Sequence, residues 1–166
     1  MGINSQLRDN LKIIGSTNNW RSLLIDARRY IQISKESGNV LAFWSYDWLT
    51  LSGIPPYLDL PATGEDSYNN TARGYVEGRF RGLNLIYAEA EYRFRMLKNG
   101  LYGGVLFSNV SSVSEWPGNK FEKINPGNGG GLRIKMNKSA STNLCIDYGI
   151  GTGGSRGFSF NLNEVF

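Results

Sequence analysis

The stretch Asn84-Leu85-Ile86-Tyr87-Ala88-Glu89-Ala90-Glu91-Tyr92-Arg93-Phe94-Arg95-Met96-Leu97 decides the fold. Taken at every second residue, Ile86, Ala88, Ala90, Tyr92, Phe94 and Met96 fall on one face, all apolar or aromatic. Glu89, Glu91, Arg93 and Arg95 fall on the other, all charged. Successive side chains of a β-strand point to opposite faces, so this pattern is an apolar wall backed by a charged one. A helix would scatter the same charges around its axis. A soluble sandwich strand alternates in a similar way. A charged face made of acids followed by bases suits instead a strand with lipid on one side and a polar lumen on the other.

The alternation recurs on both sides of this stretch. Leu23, Ile25, Ala27, Ile31 and Ile33 share one phase, and Ser22, Asp26, Arg28, Tyr30 and Gln32 the other. Arg29 lands on the apolar face, where it must snorkel to a headgroup if the register is right. Leu144, Ile146, Tyr148 and Ile150 face one way, while Cys145, Asp147 and Gly149 face the other. Leu132-Arg133-Ile134-Lys135-Met136 alternates strictly. Residues 40–52 carry Phe43, Trp44, Tyr46 and Trp48, aromatic on both faces, so in and out stay open there. An aromatic girdle and a soluble aromatic core both fit that segment. Residues 5–16 read as a weak strand or a helical turn, 101–114 as a strand, and 158–166 as the closing strand. The count is about eight strands, all antiparallel.

The connections between strands alternate in length. Residues 35–39, 98–100 and 137–141 are short turns, whereas 53–82 and 115–128 are long. Segregation of short turns from long loops is the mark of an outer-membrane barrel. The 53–82 loop holds Pro55, Pro56 and Pro61 and no helical pattern. A loop of that length in a compact domain is usually functional when it is ordered.

Composition bounds the chemistry. The 166 residues suit one domain, with 13% aromatic residues, 21 glycines and a net charge of +4. No apolar run approaches the roughly 18 residues of a membrane-spanning helix. The basic residues are scattered, so nucleic acid is not an expected partner. There is no histidine and one cysteine, Cys145, so disulfides, His-dependent triads and the usual zinc sites are out of reach. No metal and no cofactor are expected, and Cys145 reads as a small wall residue. Gly149-x-Gly151-x-x-Gly154 matches a dinucleotide fingerprint, but a strand pattern follows it where a helix N-terminus is needed. Gly153-Gly154-Ser155-Arg156-Gly157 matches a nucleophile elbow with no histidine to serve it. A tight glycine turn explains both.

Late in the long loop stands Thr71-Ala72-Arg73-Gly74-Tyr75, and the strand after it runs into Glu91-Tyr92-Arg93-Phe94. Together they resemble the bacterial surface-antigen family, the outer-membrane barrels of BamA- and TamA-type assembly factors and of two-partner secretion transporters. The resemblance covers residues 22–166. It implies an antiparallel transmembrane β-barrel in the bacterial outer membrane, of which this chain is the C-terminal part, with the 53–82 loop folded into the lumen. It implies that Arg73 meets Glu91, with Gly74 and Tyr75 completing the tip. A planar guanidinium binds a carboxylate at two points, and a partly dry lumen strengthens the pair. The family's further acid falls at Asn109 here, so Asn109→Asp is expected to strengthen the latch. Glu89, Arg93, Arg95, Arg133, Lys135 and Asp147 are expected to line the lumen. Phe166 fits the terminal aromatic of such barrels, while Glu164 stands where an apolar residue is usual.

The function the resemblance implies is assembly, insertion or secretion of proteins at the outer membrane, without covalent chemistry. The implied partners are outer-membrane lipid, unfolded outer-membrane or secreted proteins and periplasmic accessory proteins. Two alternatives stay open. One is a barrel that anchors or exports a fused upstream domain such as a patatin-like lipase. The other is a soluble ligand-binding β-barrel. The N-terminus lacks the apolar core of a signal peptide, which an exported protein needs, so either the chain is the C-terminal piece of a longer protein, the reading favoured because the resemblance begins partway through the family's barrel, or the protein is not exported.

Overall fold

The computed structural model describes residues 1–34, 36–66, 70–97, 100–115, 119–136 and 142–166. They form nine strands and no α-helix: β1 Gly2–Asn10, β2 Trp20–Gln32, β3 Val40–Gly53, β4 Asn84–Arg95, β5 Tyr102–Glu115, β6 Lys120–Phe121, β7 Asn125–Lys135, β8 Asn143–Gly151 and β9 Arg156–Leu162. Every pairing is antiparallel and between neighbours along the path β1-β2-β3-β4-β5-β7-β8-β9, with β6 folded against the end of β5. Eight strands therefore make the wall. β1 and β9 do not pair with each other, so the sheet is open and not closed into a barrel. No helix among the described residues is long and apolar enough to cross a membrane, which leaves strands out of account.

Residues 5–16 divide between the two readings, strand to Asn10 and a 3-10 turn at Lys12–Ile14. The expected loop at 115–128 is shorter: β7 begins at Asn125, and Gly127, Gly129 and Gly131 lie within the strand. Glycine lowers strand propensity, which hid this segment, yet here each inward glycine makes room for a neighbour. The turn expected at 151–157 is 152–155, with Gly149 and Gly151 in β8 and strand β9 following. The turns expected at 98–100 and 137–141 lie largely or wholly outside the described residues.

The two faces of the sheet differ: the outward one is apolar and largely exposed, and the inner one buries charged and polar groups beside an aromatic cluster. Ile86, Leu106, Leu132, Ile150, Phe158, Phe160 and Leu162 are exposed, the two phenylalanines at 67% each. The opposite face buries Glu89, Glu91, Asn109, Arg133 and Asp147. Register places Ile86, Ala88, Ala90, Tyr92 and Phe94 outward and Glu89, Glu91 and Arg93 inward, as the alternation of the decisive stretch requires. On β3 the open question closes: Ala42, Trp44 and Tyr46 are buried inward and Phe43 is exposed outward. Arg29 sits on the outward face opposite Phe43, close to the short-turn end of β2. Asp47 is the one outward carboxylate of β3, between Ile25 and Ile86, and accepts a hydrogen bond from Ser45 at 2.9 Å.

The inner face is filled by the chain's own loop and tail. The buried cluster joins Ala42, Trp44 and Tyr46 of β3, Leu85 and Tyr87 of β4, Ala72 of the loop and Val165 and Phe166 of the tail. The loop between β3 and β4 is self-supporting. Asp66 Oδ1 accepts from the amides of Asn70 and Thr71 at 2.9 and 2.7 Å, and Thr71 Oγ1 accepts from the Gly64 amide at 2.7 Å. A bridge between Ala62 and Arg81 closes its neck.

The expected closing strand 158–166 stops at Leu162. Asn163 takes a left-handed backbone, φ 72°, a conformation asparagine tolerates better than most residues. Continued as a strand, Glu164 would share the outward phase of Phe158, Phe160 and Leu162. The turn at Asn163 instead carries Glu164, Val165 and Phe166 inside. Phe166 stacks on Trp44 with centroids 5.1 Å apart.

Candidate functional site

Arg73 sits at the tip of the loop, its side chain 2% exposed. Ala72 before it has φ 62° and Gly74 after it φ 102°, so the tip is a tight left-handed turn. A Cβ on Gly74 would meet the backbone of Ile150 at 2.9 Å, and one on Gly149 would meet the Gly74 amide nitrogen at 2.6 Å. Loop and strand thus pack backbone on backbone, and only glycine on both sides permits it. Gly151 leaves space for the ring of Tyr75, whose hydroxyl donates to the Pro126 carbonyl at 2.5 Å and accepts from the Thr152 amide at 2.8 Å.

The guanidinium of Arg73 is bonded to three carboxylates. Nη2 donates to Glu89 Oε1 at 2.6 Å and to Glu91 Oε1, and Nη1 donates to Asp147 Oδ2 at 2.5 Å. Its flat face lies over the Phe107 ring, 3.7 Å from the centroid. Glu89 and Glu91 are on β4 and Asp147 on β8, three strands along the path, about 14 Å apart in a flat sheet. One guanidinium reaches both only because the sheet curls around the tip.

A closed ring of alternating charge results: Arg73, Glu91, Arg93, Glu164, Arg133, Asp147 and back to Arg73. Arg93 Nε donates to Glu91 Oε2 at 2.6 Å and lies 3.7 Å from Glu164. Arg133 Nε donates to Glu164 at 2.9 Å, and its Nη1 to Asp147 Oδ1. Glu89 stands outside the ring as a fourth acid against three bases. Two neutral donors serve it: the Tyr87 hydroxyl at 2.7 Å and Asn109 Nδ2 at 3.3 Å. Asn109 Nδ2 also donates to the Arg73 carbonyl at 3.1 Å. Ion pairs this buried add little net stability, because desolvation offsets attraction. Their geometry and mutual dependence are what matter.

The structure thus brings together Arg73, Gly74, Tyr75, Glu89, Glu91, Asn109, Arg93, Arg133 and Asp147. Arg95 and Lys135 stand at the short-turn end of the inner face, Arg95 exposed and Lys135 half-buried, with neither in the ring. Asn109 was expected to take the position of an acid; its amide instead acts as a donor to a carbonyl and a carboxylate. Asp147 was expected only as lining, and is the direct partner of the tip. Glu164, Tyr87 and Phe107 were missed. The signal for the groove was in the sequence, as glycine at successive inward positions, 127, 129 and 131 on β7 and 149 and 151 on β8.

The arrangement is a set of ionic and packing contacts between loop, tail and sheet. What it does is hold a long loop and a C-terminal segment against one face of a sheet. No protein-family model, curated protein or solved structure matches the chain.

Proposed function

We propose that this chain is the C-terminal part of an outer-membrane β-barrel of the surface-antigen kind, serving the assembly, insertion or secretion of proteins at the bacterial outer membrane. The observation that carries the reading is the apolar outer face, with Phe158, Phe160, Leu162, Ile150 and Ile86 exposed, over an inner face that buries arginines and carboxylates. In water this arrangement leaves large apolar side chains solvated while desolvating charges. In lipid the outer side chains gain a matching solvent, and the inner face becomes the lumen wall. A soluble ligand-binding barrel has a polar outer face and an interior open to its ligand, whereas here the outer face is apolar and loop and tail pack on the inner one. The arginine tip of the loop, latched by acids on two strands, agrees with the resemblance that suggested the family.

The open edges of β1 and β9 fit a partial wall, since unpaired backbone groups in hydrocarbon need partner strands. In this reading the loop and tail block the lumen, which suits a protein that works through its wall and mouth more than through an open pore.

The test uses cysteine substitutions in membranes of cells that make the protein. Ile86→Cys, Ala88→Cys and Phe160→Cys should react with a lipid-soluble maleimide and not with a charged one. Ready labelling by the charged reagent would sink the membrane reading. If the membrane placement holds, depleting the protein should lower the amount of folded outer-membrane or secreted proteins. Unchanged levels of both would remove the assembly role and leave the anchor.

A further inference from the structure

We infer that the short-turn end of the inner face carries a binding site for a dianionic phosphate group, inorganic or as a monoester. The register builds it. In the inward phase Arg95 of β4 stands opposite Gly103 of β5, and Gly103 stands opposite Arg133 of β7. Lys135 follows Arg133 in the same phase, opposite Asn143 of β8, and Arg93 precedes Arg95 on β4. Strands β4 and β7 thus each present a pair of cations, and β5 between them presents a glycine. A cavity of about 510 Å³ lies among these residues. Gly103 gives it a floor without a side chain. Gly38 gives room at its edge, where the Arg95 guanidinium occupies the space a Cβ would take.

The charges around this cavity do not balance. Arg93, Arg95, Arg133 and Lys135 line it, and among the described residues Glu164 is the one carboxylate beside them. Arg93 and Arg133 already have deeper acids, Glu91 and Asp147 respectively. The ion pairs of the described residues leave Arg95 and Lys135 out. Cations gathered on a concave wall raise the local potential and draw in small anions. The chemistry favours phosphate over carboxylate. A guanidinium takes two oxygens in its plane, which uses up a carboxylate. A phosphate keeps a further oxygen and a further charge for the lysine. The strands that carry Arg95 and Lys135 are two steps apart, roughly 10 Å in a flat sheet, and both side chains are long enough to converge above Gly103. The inner face carries this site whether lipid or water lies outside.

The probes are inorganic phosphate and glycerol 3-phosphate for a soluble source, and short-chain phosphatidic acid for a lipid one. Each is titrated calorimetrically into the folded protein in a maltoside detergent at about 0.15 M ionic strength, where loose surface attraction is screened. At least one should bind saturably. An Arg95→Gln, Lys135→Gln double variant should bind it at least about tenfold more weakly, since hydrogen bonds to charged groups are lost. Its strand content by circular dichroism should stay unchanged, because neither residue belongs to the buried ring. Arg29→Gln, which removes a cation from the outer face near the same end, should bind as the unaltered protein does. Glutarate, a dicarboxylate of similar charge, should bind at least about tenfold more weakly than the phosphate. Binding of inorganic phosphate or glycerol 3-phosphate assigns a soluble ligand, and binding of phosphatidic acid alone assigns a headgroup; either supports the site. Absence of saturable binding by all three, equal affinity for glutarate, or an equal loss in Arg29→Gln overturns it. Should the double variant lose its strands, Arg95→Gln and Lys135→Gln supply the comparison singly, and unchanged affinity in both counts against the site.

Discussion

At the scale of single residues, the site depends on what a guanidinium can do that an ammonium cannot. Arg73 meets three carboxylates on two strands while its flat face rests on Phe107. Arg73→Ala leaves those acids facing one another, and removing one partner of a buried ionic group typically costs about 3–5 kcal/mol. Protease cutting within 53–82 should rise sharply with strand content unchanged. Arg73→Lys should recover only part of the loss, because a point charge cannot span the acids in a plane. Glu91→Ala should be milder than Arg73→Ala, since Glu89 and Asp147 remain. In a double-mutant cycle the two effects should fall well short of adding, and strict additivity would show that the residues do not interact. Asn109→Asp reverses the expectation drawn from the resemblance. The amide donates to the Arg73 carbonyl and to Glu89, so a carboxylate there sets two repulsions in place of two hydrogen bonds. Loop cutting should increase in Asn109→Asp, and a protected loop would refute this geometry.

The element that matters most is the glycine track on β7 and β8. It is a groove made by omission: at each inward glycine a neighbour occupies the space a Cβ would take. Phe107 lies over Gly129, Asp147 against Gly131 and the Arg73-Gly74 backbone against Gly149. Gly149→Ala should lift the tip off the wall, costing about 1–3 kcal/mol by overpacking. Gly157→Ala, directly across the ladder from Gly149, is the control, because a Cβ there meets nothing within 4 Å. Equal stability and equal loop protection in the two variants would mean that the groove does not hold the tip. The β9 element ends for a related reason. Its outward phase admits Phe158, Phe160 and Leu162, and Glu164 does not belong with them.

For the whole molecule, the decisive quantity is which solvent meets the outer face. Asp47 probes it, since it stands midway along β3 between Ile25 and Ile86. On the membrane reading Asp47→Val removes a charged group from hydrocarbon and should stabilise the protein. The gain should stay below the roughly 2–4 kcal/mol that arginine or lysine costs at the midplane. If water bathes that face, the substitution should change stability by no more than about 0.5 kcal/mol in either direction. Denaturant unfolding in lipid vesicles, compared between the two proteins, distinguishes these outcomes. The same face explains why β1 and β9 need partners. Strand edges are tolerable in water, but in lipid every backbone amide and carbonyl must be paired.

Local alternation by itself determined the class of structure and the facing of most strands. Residues 84–97, 22–34 and 144–150 carry a period-two pattern that no helix satisfies, and a side chain's phase in a strand is a property of its neighbours in sequence. The inward phase of Glu91 was legible for the same reason, whereas its meeting with Arg73 at the loop tip was an expectation from the family resemblance. Long-range pairing was not. That Asp147 on β8 reaches the same guanidinium as Glu89 on β4 depends on curling of the sheet, which arises from eight strands together. The first part of β7, residues 125–131, was hidden because its glycines act through the side chains that fill their space, contributed by residues distant in sequence. The inward tail was decided in the same way: Glu164 and Phe166 meet Arg133 and Trp44 only after the sheet has curled, and no pattern within 158–166 records those partners.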